Sequence, residues 1–161
     1  MRTSLVIILI SSSIYGWGYN NSLTEGEETN LRDSIASYAQ EFIGTPYIWG
    51  GSSIKGFDCT GFVYFVFKKF GIKVSRASSG YENKGDVVDT DSCQVGDVIL
   101  FTGTNAAIRK VGHAGIILKN ENGMIDFIHS SSSKKHFGVT ITRFNDSGYV
   151  KRFLRVINVI S

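Results

Sequence analysis

The chain of 161 residues carries 17 basic and 14 acidic side chains, a formal charge of +3 that falls to +2 when Arg2 is set aside with a leader. A balance so near neutrality gives no electrostatic footprint for nucleic acid, and no phosphate-binding glycine loop, basic run or internal repeat accompanies it. With a single proline, 18 glycines and ordinary apolar content, the composition describes one globular domain, large enough to form a core without metal or disulfide staples.

In chain order, Met1-Arg2 precedes an apolar run over residues 5–10 and a small, polar stretch up to Tyr19. A basic start, a short apolar core and a small-residue exit have the form of a secretory signal, so residues 1–18 are expected to be a signal peptide. Gly16 and Gly18 suit its cleavage site, with the serines at 11–13 as another option. The run is well short of the roughly 18 residues a membrane span needs, and the competing reading is a buried N-terminal strand. The only cysteines are Cys59 and Cys93, so no N-terminal cysteine offers a site for lipid attachment. The expectation is an exported protein, periplasmic or extracellular, that is not a lipoprotein and not stably inserted in a membrane after cleavage. Residues 19–30 read as a polar spacer and 31–161 as the domain.

Leu31, Ile35, Tyr38, Ala39 and Phe42 recur at helical spacing, which predicts a helix over 31–43 with Asn30 as its cap, ended by Gly44 and Pro46. Asp58 is placed to cap a second helix over 59–70, with Phe62, Val63, Val66 and Phe70 as its apolar stripe. Lys68 and Lys69 suit its C-terminal dipole, and Gly71 closes it. Beyond a polar stretch the period changes. Strands are predicted over 97–101, 114–118, 124–128, 139–142 and 150–159, several of them separated by turn residues such as Asn122-Gly123. Helices first and strands afterwards predict an α+β domain, its helices packed on one face of an antiparallel sheet of about five strands. The loop over 102–112 is long enough to wall a cleft.

The second helix carries Cys59 at its tip. Unpaired N–H groups and the positive end of the dipole favour thiolate over thiol there, which makes Cys59 a candidate nucleophile; a small packing residue is the competing reading. A Cys59–Cys93 disulfide would quench it, but a domain of this size needs none; Cys93 reads as a packing residue. Of the three histidines, His113 opens one predicted strand and His129 closes the next, so a hairpin brings them together, while His136 reads as solvated. Cys59, His113 and His129 could also supply three zinc ligands, although no Cys-x-x-Cys or closely spaced histidine pair supports that. No Gly-x-Ser-x-Gly elbow marks a serine hydrolase.

Five blocks stand in order along the chain: Gly44-Thr45-Pro46-Tyr47-Ile48-Trp49-Gly50-Gly51 with Phe57-Asp58-Cys59-Thr60-Gly61-Phe62-Val63, then Val95-Gly96-Asp97-Val98-Ile99-Leu100-Phe101, Gly112-His113-Ala114-Gly115-Ile116, Phe127-Ile128-His129-Ser130-Ser131 and Tyr149-Val150-Lys151-Arg152-Phe153. Taken together they resemble the NlpC/P60 cysteine peptidases. The first is similar to that family's nucleophile region, the second to its Gly-Asp strand, the third and fourth to its two histidine blocks, and the fifth to its last strand. Thr60 stands where serine is commoner and Ala114 where valine is. The resemblance implies a papain-like NlpC/P60 fold with Cys59 as nucleophile, His113 as general base and His129 as orienting group. It implies substrate or oxyanion contacts from Tyr47, Asp58, Arg76 and Ser130, with Asp58 read first as a cap and Arg76 as cleft lining. It further implies a monomer without metal or cofactor that cleaves peptidoglycan stem peptides, at D-γ-glutamyl-diaminopimelate or -lysine bonds. Rival readings are an amidase at the glycan–peptide junction, an acyltransferase on the same scaffold, and a non-catalytic wall-binding module.

Overall fold

The computed structural model describes residues 23–160, so the expected signal peptide lies outside the described residues. Helix α1 spans Glu25–Gln40 and therefore begins inside the stretch expected to be spacer. The cause is a reciprocal capping box. Thr24 accepts the Glu27 N–H, the Glu27 carboxylate accepts the Thr24 N–H at 3.0 Å, and Glu25, Glu27 and Glu28 together oppose the positive end of the dipole. Asn30 lies within the helix rather than at its cap. Beyond the helix, the Gly44 N–H reaches the Val139 carbonyl at 2.8 Å, with φ at +87°.

Two short strands, β1 (Ser52–Ser53) and β2 (Gly56–Phe57), precede α2, which spans Cys59–Lys69 as its cap predicted. A 3₁₀ turn at Ser78–Tyr81 follows, then β3 (Asp86–Val88), β4 (Val98–Thr102), β5 (Val111–Glu121), β6 (Met124–Ser133) and β7 (His136–Arg143). A second 3₁₀ turn, Val150–Arg152, leads into β8 (Phe153–Asn158), so the last predicted strand starts three residues late. The main sheet has six antiparallel strands in the order β3-β8-β4-β5-β6-β7. The extra strand relative to expectation is β3, a short edge with no apolar run to announce it. Asn122 and Gly123, at φ 52° and 81°, join β5 to β6, as a two-residue turn with both φ values positive requires.

Both faces of this sheet are buried. On one, Ile35 of α1 and Phe62, Val63 and Val66 of α2 meet Val98, Leu100, Ala114, Ile116 and Ile128. On the other, Ile99, Phe101, Ile117, Ile125, Phe127 and Val156 lie under Cys93, Phe144, Tyr149 and Phe153, which come from loops and from the start of β8. Burial on two sides explains why β4 reads as an unbroken apolar run instead of an alternation. Both cysteines are free, and the buried Cys93 is pushed up to about 11, by burial first and then by Asp97.

One charged side chain fastens α1 to the sheet. Arg32, 6% exposed, bonds Asp97 Oδ1 at 2.9 Å, Glu28 at 2.9 Å, the Val95 carbonyl at 2.9 Å and Asn158 Oδ1 at 3.2 Å. At the outer strand β7, Val139 is engaged on both sides: its carbonyl receives the Gly44 N–H, and its own N–H donates to the Thr45 carbonyl at 2.8 Å. The segment entering the cleft is thereby clamped to the sheet edge.

Candidate active site

Cys59 is the first residue of α2, and its position is set by Asp58. That carboxylate accepts the Gly61 N–H at 2.7 Å and the Gly50 N–H at 3.0 Å, and it grips Arg76 through both oxygens at 2.9 and 2.8 Å. Arg76 also donates to the Gly51 carbonyl and to Thr60 Oγ1, each at 3.2 Å. Gly61 is obligatory, because a Cβ there would collide with the Gly51 carbonyl oxygen. The helix tip and the glycine approach are thus one hydrogen-bonded unit, and Thr60 joins it through the hydroxyl it shares with serine.

The Cys59 thiol donates to the Gly112 carbonyl at 3.9 Å, which brings the start of β5 against the helix tip. Cys59 and His113 then open on one cleft of about 530 Å³, together with Tyr47, Asp58, Arg76 and Ser132. Gly103, Thr104 and Gly112 line it as well, so the loop predicted as a wall is one.

His113 and His129 project from adjacent strands on the face opposite the helices. Ile116 pairs with Ile128, so the two histidines are diagonal neighbours across β5 and β6. Their rings meet at 2.9 Å, His113 Nε2 to His129 Nδ1, and His129 Nε2 lies 3.0 Å from Thr142 Oγ1 on β7. Gly115 makes the approach possible: a Cβ there would come within 2.6 Å of the Phe127 ring and 3.3 Å of the His129 Cβ. Tyr149 stacks on His113 at 5.3 Å and 27°, and the Arg152 guanidinium lies 4.9 Å over the Tyr149 ring.

Burial governs the charge state of this group. His113 and His129 are 7% and 1% exposed. Burial holds His113 well below the usual imidazole range, helped by His129 and Arg152, and it brings His129 to about 3, helped by Arg152 and His136. The Cys59 thiol is pushed up, first by burial and then by the Asp58 carboxylate, against the pull of the Ala114, Thr60 and Cys59 N–H groups. The expectation of a thiolate at the helix tip meets an opposing effect: the N–H groups act in the expected direction, but desolvation and Asp58 outweigh them, and burial shifts both Cys59 and His113 toward their neutral forms.

The other expected contacts divide. Tyr47, Asp58 and Arg76 all line the cleft, and burial, with Cys59 and Asp58, pushes the Tyr47 hydroxyl up, so it stays a proton donor. Ser130 does not line it: fully buried, it donates to the Phe57 carbonyl at 2.7 Å and ties β6 to β2. The expectation that it meets substrate is corrected, and Ser132, two residues on and on the same side of the strand, takes the cleft position. His136 is exposed, as expected. Sequence reasoning missed Trp49, Ser132, Thr142, Tyr149 and Arg152. The two-residue period of β6 was the available signal for Ser132; Trp49, 88% exposed on the cleft rim, lay inside a block already noted. Among the described residues, no group of three His, Cys, Asp or Glu side chains is placed to hold a metal ion.

A thiol at the tip of a helix packed on an antiparallel sheet, sharing a cleft with a histidine from that sheet, has the architecture of a papain-like cysteine peptidase. Within that class the chain belongs to the NlpC/P60 family, whose family model matches residues 44–158. It is 32% identical over 125 residues to the γ-D-glutamyl-L-lysine dipeptidyl-peptidase of Bacillus cereus, covering 78% of this chain and 35% of that protein. It is 29% identical over 133 residues to the murein DD-endopeptidase MepS/murein LD-carboxypeptidase of Escherichia coli K12, covering 82% and 65%. The crystal structure of an NlpC/P60 family protein from Bacillus cereus superposes with a TM-score of 0.71 at 29% identity, covering 81% of this chain and 40% of that one. The chain therefore spans between about a third and two thirds of the length of these curated relatives.

Proposed function

We propose that this chain is an exported cysteine endopeptidase that hydrolyses amide bonds of peptidoglycan stem peptides, foremost the D-γ-glutamyl-diaminopimelate bond. The observation that carries this reading is the shared cleft of Cys59 and His113, with the far nitrogen of His113 held by His129 at 2.9 Å. The substrate class draws support from relatives whose names specify murein and γ-D-glutamyl-L-lysine peptide bonds.

With Nε2 engaged by His129, His113 has Nδ1 left for the thiol. As Sγ attacks the scissile carbonyl carbon, the thiol proton passes to His113 Nδ1 and the carbonyl π electrons move to oxygen. The resulting oxyanion is received by the Cys59 backbone N–H and the Tyr47 hydroxyl, contacts typically worth about 10²–10³ in rate. Collapse breaks the C–N bond, and the imidazolium gives its proton to the departing amine, leaving a thioester. Water then gives a proton to His113 as it attacks the thioester carbonyl. The second collapse expels the thiolate, which takes that proton back. Burial favours the neutral forms of Cys59 and His113, so charge that develops in the reaction does so in a setting where fixed dipoles act strongly.

The reading is tested by digesting purified sacculi with the mature protein and with its Cys59→Ser and His113→Ala variants, then identifying fragments by mass spectrometry. Wild type is expected to leave a dipeptide on the muramic acid, and both variants to release nothing while keeping their circular dichroism. Activity retained in either variant overturns the catalytic assignment; release of whole stems would mark an amidase instead.

A further inference from the structure

We propose that Thr142 is a positioning residue that selects the tautomer of His129 and thereby readies His113 as a base; this rests on the catalytic reading above. Three neighbouring strands each contribute one member to a diagonal line: His113 on β5, His129 on β6 and Thr142 on β7, with contacts of 2.9 and 3.0 Å. Phe127 pairs with Thr142 and His129 with Thr140, so strand register sets the second diagonal as it sets the first.

A neutral His129 has one N–H to share between two neighbours. If the proton sits on Nε2, it is donated to Thr142 Oγ1, and Nδ1 accepts the His113 Nε2–H. His113 Nδ1 is then a bare lone pair able to take the thiol proton. If the proton sits on Nδ1, it is donated to His113 Nε2, which drives the His113 proton onto Nδ1 and blocks it. The second tautomer also sets two N–H groups face to face once His113 is protonated. Only the first arrangement supports both states of the reaction, and Thr142 supplies the acceptor that favours it.

Thr142 is suited to that role. It is half-buried and lines a second cleft of about 610 Å³ on the far side of His129, so its own hydroxyl proton can turn outward to water. Tyr149, the other hydroxyl near His129, stands 3.5 Å from Nδ1, at the limit of a hydrogen bond.

The test compares wild type with Thr142→Val, which keeps the shape and removes the hydroxyl, and Thr142→Ser, which restores it. Long-range proton–nitrogen NMR on histidine-labelled protein should find the His129 proton on Nε2 in wild type and Thr142→Ser, and on Nδ1 in Thr142→Val. Against muropeptides, kcat of Thr142→Val should fall at least about tenfold with KM unchanged, since a wrong tautomer behind a catalytic histidine can cost up to about 10⁴. Iodoacetamide alkylation of Cys59 should slow in Thr142→Val and recover in Thr142→Ser. A wild-type proton on Nδ1, or a Thr142→Val variant with unchanged tautomer and alkylation, overturns the proposal. If the substrate assignment alone is wrong, the muropeptide assay fails while both other readouts stand. If His113 is not the base, His113→Ala leaves alkylation unaffected while the tautomer result stands.

Discussion

Asp58 has two effects on Cys59 that oppose each other. As the cap of α2 it builds the helix end whose N–H groups pull the thiol pKa down, and as a carboxylate it pushes that pKa up. Asp58→Asn separates the two effects, because asparagine caps as well as aspartate and carries no charge. Removing a charge that raises the thiol pKa must lower it, and an Arg76 freed from its partner acts in the same direction. The pH profile of Cys59 alkylation by iodoacetamide is therefore expected to shift to lower pH, while helix capping is kept and any loss of thermal stability comes from the broken Arg76 pair. A shift to higher pH would show that Asp58 favours thiolate overall. At this scale Cys59, His113 and His129 could be singled out as candidates from the sequence, because each lies in a block with its own local signal. The charge state could not be read there, since it follows from how deeply the neighbours bury the thiol, and a helix tip alone says nothing of that.

Among the elements, β5, β6 and β7 make the site by register. Gly115 is the place where that register meets packing, since any side chain there presses on Phe127 and crowds His129. Gly115→Ala is expected to destabilise the protein by about 1–3 kcal/mol, the usual range for overpacking. It should also lower kcat more than Tm would suggest, by moving His129 away from His113. Urea denaturation alongside kcat and KM checks this; an active variant with wild-type kcat would mean the strands yield without disturbing the pair. The centres of these strands were readable from their apolar runs, as was α2 from Asp58 at one end and Gly71 at the other. The Thr24–Glu27 capping box is written in the sequence as well, but it lies a full turn and more before the apolar period that marks the helix, and Asn30, a second capping residue, stands next to that period. Tyr149 and Arg152 lay inside the last of the noted blocks, but their ring stack shows only in the fold. Thr142 was beyond reach for a different reason, since it acts through a strand pairing that leaves no mark in local sequence.

For the molecule as a whole, Arg32 joins α1 to the segment leading into β4 and to the end of β8, through partners far apart in the chain. Arg32 and Asp97 are both buried, and burial pushes the Asp97 carboxyl up against the bonds it receives from Gln94 and Arg32. Such a pair need not stabilise the fold relative to an apolar one, but losing one member strands the other. Arg32→Ala should therefore cost about 3–5 kcal/mol in urea unfolding, and the double variant Arg32→Met with Asp97→Leu much less. Equal losses in both would show that the helix is held by its apolar face instead.

The clamp on β7 has a consequence for how copies of this chain meet. An open sheet can recruit a strand from another molecule wherever a row of backbone groups is unpaired. On β7 the amide and carbonyl of Val139 are already taken by the segment around Gly44 and Thr45, which interrupts that row near its middle. The opposite border is β3, with only three residues to offer. Among the described residues neither border presents a long template for strand addition, so crowding many copies together should not zip them into a continuous ribbon.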